Sequence, residues 1–318
     1  AGGILTALFI ALQIMSNHVQ MSYYFLFVIL FIAGAYFEDA WRNKTLPKFF
    51  KASAVVFVAA LIGVAANLSN LYHTYTYSKE TMRGKSELVE TVDAAKQTSS
   101  GLDRDYITNW SYGIGETWTL LVPNFKGGSS SAPLSQSETA MEKANPVYSS
   151  LYNSFPQYFG DQPWTAGPVY VGSFVLFLFV LGCFIVKGPL KWALLGATFF
   201  SIVLAWGKNF MPLTDFFIDY IPMYNKFRAV SSILVIAEFT IPLLAIFALK
   251  RVLDEPGIWK KYKKAFGISL ALTAGVALLL AVAPGSLGSD FVPAQETQML
   301  QNAVDRQMIP ANELSGIL

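Results

Sequence analysis

Seven apolar blocks constrain this chain more than any other feature. They fall at about 3–16, 21–37, 52–70, 169–186, 190–206, 231–249 and 266–284. Most run roughly 17–20 residues, the length a helix needs to cross about 30 Å of hydrocarbon. In lipid an isolated strand or loop would leave its backbone groups unpaired, so each block has to be helical. Charged residues make up only 14% of the 318 positions, and mean hydropathy is +0.42. Soluble domains carry about a quarter charged residues. The reading is an all-α polytopic membrane protein; a soluble protein with unusually buried helices is the bland alternative.

Several function classes drop out. A net charge of +2, with no basic run beside stacking aromatics outside the membrane boundaries, gives no support to a nucleic-acid partner. The single cysteine, Cys183, lies within an apolar block, so no internal disulfide forms, and no Cys/His cluster has zinc spacing. No G-x-S-x-G or P-loop is present. The chain opens on AGGILTALFI without a basic leader and stops at NELSGIL. The expectation is a piece of a longer protein.

Charge orders the connections. Segment 38–51 contains Arg42, Lys44, Lys48 and Lys51, and the tight link 187–191 (KGPLK) contains two lysines. Segment 250–264 holds six basic residues against two acidic ones. The positive-inside rule puts these three in the cytoplasm. Alternation then places 17–20, 71–168, 207–230 and 285–318 outside. The expected organisation is three spans in 1–70, an extracytoplasmic subdomain over 71–168 and four spans in 169–284, with the start of a truncated outer segment over 285–318. Within the long loop, 78–97 reads as a helix, and GGSSSAPLSQS as weakly ordered.

The polar clusters follow from that topology. Asn17, His18 and Gln20, between two apolar blocks, suit either a sugar or phosphate site or a plain pair of helix caps. Between Pro212 and Pro222, apolar residues recur at helical spacing, predicting an interfacial helix over 212–222. Asp215 and Asp219 project from its other face, where they suit a divalent cation, a general base or merely a wet surface. Tyr224, Lys226 and Arg228 (PMYNKFR) precede a helix entering the membrane from the outside, where the positive-inside rule gives cations no reason to be. A guanidinium at a helix N-terminus makes an anion site, here for a lipid phosphate; a snorkelling anchor is the structural alternative. Glu238 is the one clearly intramembrane charge, either functional or hydrogen-bonded to a neighbouring span. Asp103-Arg104-Asp105 has the acidic D-x-D form of a sugar-transferase metal motif, and equally of solvated loop charge. Trp110, Tyr112, Glu116 and Trp118 suit stacking on sugar rings or packing of the loop.

The stretches SNHVQMSYYFLFVILF, SGLDRDYITNWSYGIGETWTLLVPNFKGG and LTDFFIDYIPMYNKFRAVSSILVIAEF resemble the YfhO-type bacterial membrane proteins in the form seen in Bacteroidetes. That family is similar to the GT-C polytopic glycosyltransferases. The resemblance implies a GT-C-like helical bundle in the bacterial cytoplasmic membrane, with a large extracytoplasmic loop. It implies transfer of a sugar from a polyprenyl-phosphate donor to a glycan or lipid acceptor, with a divalent cation as an optional cofactor. Arg228 and Lys226 would meet the carrier phosphate, while Asn17, His18 and Gln20 would orient sugar or acceptor. The principal catalytic Asp of such enzymes would lie before Ala1. The competing reading is a non-enzymatic lipid or polysaccharide transporter, which predicts polar residues along several spans; apart from Glu238 the blocks are nearly free of charge.

Overall fold

A computed structural model describes residues 1–84, 101–165, 169–287, 291, 294–306 and 309–314. All seven apolar blocks form helices. Helix α1 spans Gly2–Met15, α2 Val19–Arg42, α3 Leu46–Ala65 and α4 Leu68–Ser78. A short α5, Arg104–Thr108, belongs to the long loop. Then come α6, Ser173–Ile185; α7, Pro189–Ala205; α8, Met211–Tyr220; α9, Val235–Asp254; and α10, Lys263–Val282. Helix α11, Ala294–Asp305, follows the last span. No strand occurs among the described residues, only two isolated bridges within the loop.

Among the described residues four helices are long and apolar enough to cross a membrane: α2, α3, α9 with its lead-in from Val230, and α10. Helix α7 with its bent continuation through α8 makes a fifth if the two count as one span, and α1 and α6 are apolar but shorter. The chain is an all-α membrane protein, associated with the lipid bilayer through these helices.

Helix α9 packs chiefly on α6 and α7, α2 lies against α7, and α1 pairs with α3. Small and hydroxylated residues let the central helices approach closely. A Cβ on Gly182 would already touch Leu244, and one on Gly196 would strike Phe31. Thr198 and Thr240 share a hydroxyl hydrogen bond of 2.6 Å across the α7–α9 seam. Each hydroxyl also reaches the carbonyl four residues back, at 2.7 and 2.8 Å.

The bundle has two chemically distinct ends. At one, Lys187, Lys191 and Arg251 line a common cleft, bringing two of the basic connections together. At the other, the long loop docks on the turns. The Ser231 N–H donates to Trp110 O at 3.1 Å, the Tyr112 N–H to Ala205 O at 2.8 Å and the Ser173 hydroxyl to Leu121 O at 2.7 Å. A single apolar core runs from Tyr24 and Val28 in α2 through Leu204 and Ile233 to Ile107 and Tyr112 in the loop. The segment after α10 returns to the same loop: Leu300 and Ile309 bury against Tyr152 and Phe155.

The interfacial helix of 212–222 exists as α8, turned 108° from α7. Gly207 makes the bend with a φ of +49°, and an added Cβ there would overlap the Ser111 hydroxyl and Val230. Thr214, Phe217 and Ile218 form the buried face of α8, while Phe216 and Tyr220 stay exposed. The apolar block 52–70 breaks at Ala66 and Asn67, and the chain continues as α4. Residues 79–84 form turns, and the rest of the helix expected over 78–97 lies outside the described residues.

Candidate functional site

The turn between α1 and α2 answers the question posed by Asn17, His18 and Gln20, and each residue answers differently. Asn17 takes a left-handed φ of 59° just past the end of α1, a place Asn fills readily. Its side-chain oxygen accepts from Asn70 Nδ2 of α4 at 3.1 Å. His18 stands at the N-cap of α2 without making a side-chain cap bond, and its imidazole forms no hydrogen bond among the described residues. Gln20 Nε2 donates to Arg228 O at 2.6 Å and to Tyr24 OH at 2.9 Å. One amide thus ties α2 to the entrance of α9. Tyr23 reinforces the tie, donating to Pro222 O at 2.9 Å and packing on Phe227 with ring centroids 5.2 Å apart.

These three residues open onto a cavity of about 650 Å³ at the loop end of the bundle. Helix α4 forms the facing wall with Thr74, Tyr75 and Ser78, and Lys226 and Arg83 close the rim. The two cations hold each other's backbone. Lys226 Nζ donates to Arg83 O at 2.7 Å, and Arg83 Nε donates to Lys226 O at 2.9 Å. Donors remain on both side chains, since an ammonium has three and a guanidinium five. Burial depresses the Lys226 pKa from 10.5. No Asp or Glu among the described residues lines the cavity. Its apolar wall includes Leu71, Met223 and Phe227. A mostly apolar cavity lined by two cations, with no acid among its described lining residues, suits an amphiphilic anion.

The other expected site residues go elsewhere. Arg228 does not line the cavity: its Nη1 donates to Tyr106 OH at 2.7 Å, and its guanidinium lies 5.6 Å from the ring centres of both Tyr106 and Trp110. Tyr224 is a core residue and does not line the cavity. Its side chain is fully buried against Phe217, with a hydroxyl that finds no partner among the described residues, and burial lifts its pKa well above the usual tyrosine value. Glu238, in the first turn of α9, is exposed on the helix surface and also outside the cavity; its charge reaches Tyr112 in the loop above.

Asp215 and Asp219, which suited a divalent cation, a general base or a wet surface, hold a guanidinium. Arg104 Nη1 pairs with Asp215 and Nη2 with Asp219 Oδ1, the latter at 2.6 Å. Among the described residues no group of three or more His, Cys, Asp or Glu side chains converges as metal ligands do. The D-x-D motif dissolves in the same contact. Asp103 caps α5 by accepting from the Asp105 and Tyr106 N–H groups, and Arg104 clamps α8.

Glu116 is likewise structural. It is 1% exposed and accepts from the Gly113 N–H at 2.5 Å, from the Tyr158 hydroxyl and, at 3.4 Å, from the Asp161 N–H. Burial raises its pKa against those hydrogen bonds, while for Tyr158 burial, the Glu116 charge and the bond to Glu116 all raise it. It ties the two halves of the long loop together and does not face the cavity.

Sequence reasoning missed Arg83 and the α4 wall. The signal was present: LSNLYHTYTYS keeps helical spacing of polar and aromatic residues beyond the apolar block, and Arg83 follows one turn later. No family model, no curated protein and no solved structure matches the chain.

Proposed function

We propose that this chain acts in glycosyl transfer of the GT-C kind, taking a sugar from a polyprenyl-phosphate carrier at the loop end and passing it to a glycan or lipid acceptor. The observation carrying this reading is the cavity lined together by Arg83, Lys226, His18 and Gln20, with no acid among its described lining residues. A carrier of this class has a phosphate and a long hydrocarbon tail, and the cavity offers cations beside an apolar wall open at the membrane boundary. As the bond from sugar C1 to the carrier phosphate breaks, negative charge grows on the phosphate, and Lys226 and Arg83 would stabilise it there. The acceptor oxygen bonds to C1 and gives up its proton, for which the His18 imidazole is the unengaged base at hand. Tyr75, Thr74 and Ser78 of α4 would meet the sugar, by ring contact and by hydroxyl bonds.

The test is transfer from a radiolabelled polyprenyl-phosphate sugar by the full chain in lipid nanodiscs. Arg83→Ala and Lys226→Ala should each lower transfer about tenfold or more, the loss of a charge-assisted hydrogen bond. Arg228→Ala should cost less, because its guanidinium faces the loop aromatics. Transfer unaffected at Arg83 and Lys226 would overturn the reading. Carrier binding without transfer would turn it towards transport.

A further inference from the structure

The opposite end of the bundle holds a second cavity that the proposed transfer does not use. It measures about 620 Å³ and lies between α2, the α6–α7 turn and α9. Tyr36, Lys187, Lys191, Phe247, Arg251 and Glu255 line it. Three cations therefore face one carboxylate. Glu255 accepts from Arg251 Nε at 2.7 Å, which answers one of the three charges. Lys191 Nζ donates to Cys183 O at 3.1 Å, closing the end of α6, and lies 4.4 Å from the Trp192 ring centre. Neither contact neutralises its charge. Lys187 forms no hydrogen bond or ion pair among the described residues.

Backbone donors add to the positive field. Helix α7 is 17 residues long and starts at Gly188-Pro189 with no side-chain cap. The N–H groups of its first turn, Leu190 and Lys191, lack intrahelical acceptors and belong to residues lining the same cavity. The Glu255 pKa lies below the usual 4.5. Arg251's hydrogen bond is the main cause, and the charges of Lys261 and Lys187 add to it.

The surroundings are those of a membrane boundary. Tyr36 is 43% and Trp192 64% exposed, amphipathic rings of the type that sits at headgroup level. Phe247 supplies an apolar floor. Basic clefts between spans recognise phosphate headgroups by this combination of cations and adjoining hydrocarbon surface.

We infer that this cleft, with Lys187, Lys191 and Arg251 around the α7 N-terminus, binds the phosphate headgroup of an anionic membrane lipid. The lipid would bridge α2, α7 and α9 at the end of the bundle remote from the long loop.

The experiment places the full chain in nanodiscs of phosphatidylcholine containing a minor fraction of phosphatidylglycerol, releases it into detergent and counts retained lipids by native mass spectrometry. Wild type should retain phosphatidylglycerol in preference to phosphatidylcholine. Lys187→Gln, at an exposed position with no structural contact to lose, should reduce that retention about fivefold, and Lys187→Glu should reduce it further. Lys48→Gln, a cation outside the cleft, should leave it unchanged. Retention equal for the two lipids, or equal in wild type and Lys187→Glu, overturns the site. Displacement of the retained lipid by millimolar inorganic phosphate, with no dependence on the acyl chains, would assign the cleft to free phosphate and overturn the lipid.

Discussion

Replacing Glu116 with alanine should loosen the long loop while leaving the membrane helices intact. The carboxylate is buried, and two close donors, the Gly113 N–H and the Tyr158 hydroxyl, depend on it; the Asp161 N–H, at 3.4 Å, contributes little. A buried donor stripped of its acceptor costs about 1–3 kcal/mol. Two such donors, less the relief of no longer burying a carboxylate, give a net loss of about 3 kcal/mol. Because loop and bundle need not unfold together, a melting temperature would blur the effect. Hydrogen exchange at amides 113–121 reads it directly: about 3 kcal/mol corresponds to roughly a hundredfold larger opening constant. Amides in the middle of α2 and α7 should not change. Glu116→Gln, which keeps one acceptor but turns an NH2 towards a donor, should fall between. Tyr158→Phe combined with Glu116→Ala should cost less than the sum of the two. A change in exchange below about threefold, or one spread equally into α7, would refute the assignment of Glu116 as the loop's internal tie.

Three further perturbations test neighbouring parts. Burial raises the pKa values of Glu116, Tyr112 and Tyr158, so the folded loop holds these protons more tightly than the unfolded chain does. Their stabilisation is therefore complete at acid pH and is lost as pH rises, for Glu116 from about 4.5 upward and for the tyrosines above about 10. Exchange protection of the loop, corrected for intrinsic rates, should decline over the Glu116 range; a rise would contradict the sign. Arg104→Ala should weaken the hold of α5 on α8 by about 1 kcal/mol, because Asp215 and Asp219 are partly solvated, and added salt should mimic part of the loss. Equal protease sensitivity of wild type and variant near residue 215, at low and high salt, would count against the clamp. Gly207→Ala should cost about 2 kcal/mol or more, since the bend needs a positive φ and has no room for a methyl group. Unchanged thermal stability in detergent would mean that the α7–α8 bend can relax.

The bundle was legible because lipid leaves the chain so little choice: an apolar block of sufficient length forms a helix, and all seven did. Helix α8 was legible from the helical spacing of its apolar residues, but its buried face was not: Thr214, Phe217 and Ile218 are buried, while Phe216 and Tyr220 stay exposed. The fate of the charged residues was not, because it depends on pairings far apart in sequence. Asp215 and Asp219 have the i, i+4 spacing of carboxylates that either hold a cation or stay wet, and their partner is Arg104, more than a hundred residues earlier. Arg228 invited a phosphate, yet its guanidinium is taken by Tyr106 and Trp110. Tyr224 stands beside Lys226 in sequence but enters the core, because the 3-10 turn Tyr224–Lys226 points the two side chains in different directions. The cavity itself was half legible. Asn17, His18, Gln20 and Lys226 were chosen from sequence and do meet. Arg83 and α4 were missed because their polar faces follow an apolar block that had already satisfied the span. The return of residues 300 and 309 onto the loop left no local pattern to read.

The reading stands or falls on what occupies the cavity at the loop end. A photoreactive polyprenyl phosphate, crosslinked to the full chain in nanodiscs and mapped by peptide mass spectrometry, addresses that occupancy directly. Label should fall on the turn 17–20, on α4 and on residues 223–227, and should be lost in the Arg83→Ala, Lys226→Ala double variant. Label confined to the basic cleft around Lys187, or unchanged by the double substitution, would contradict it.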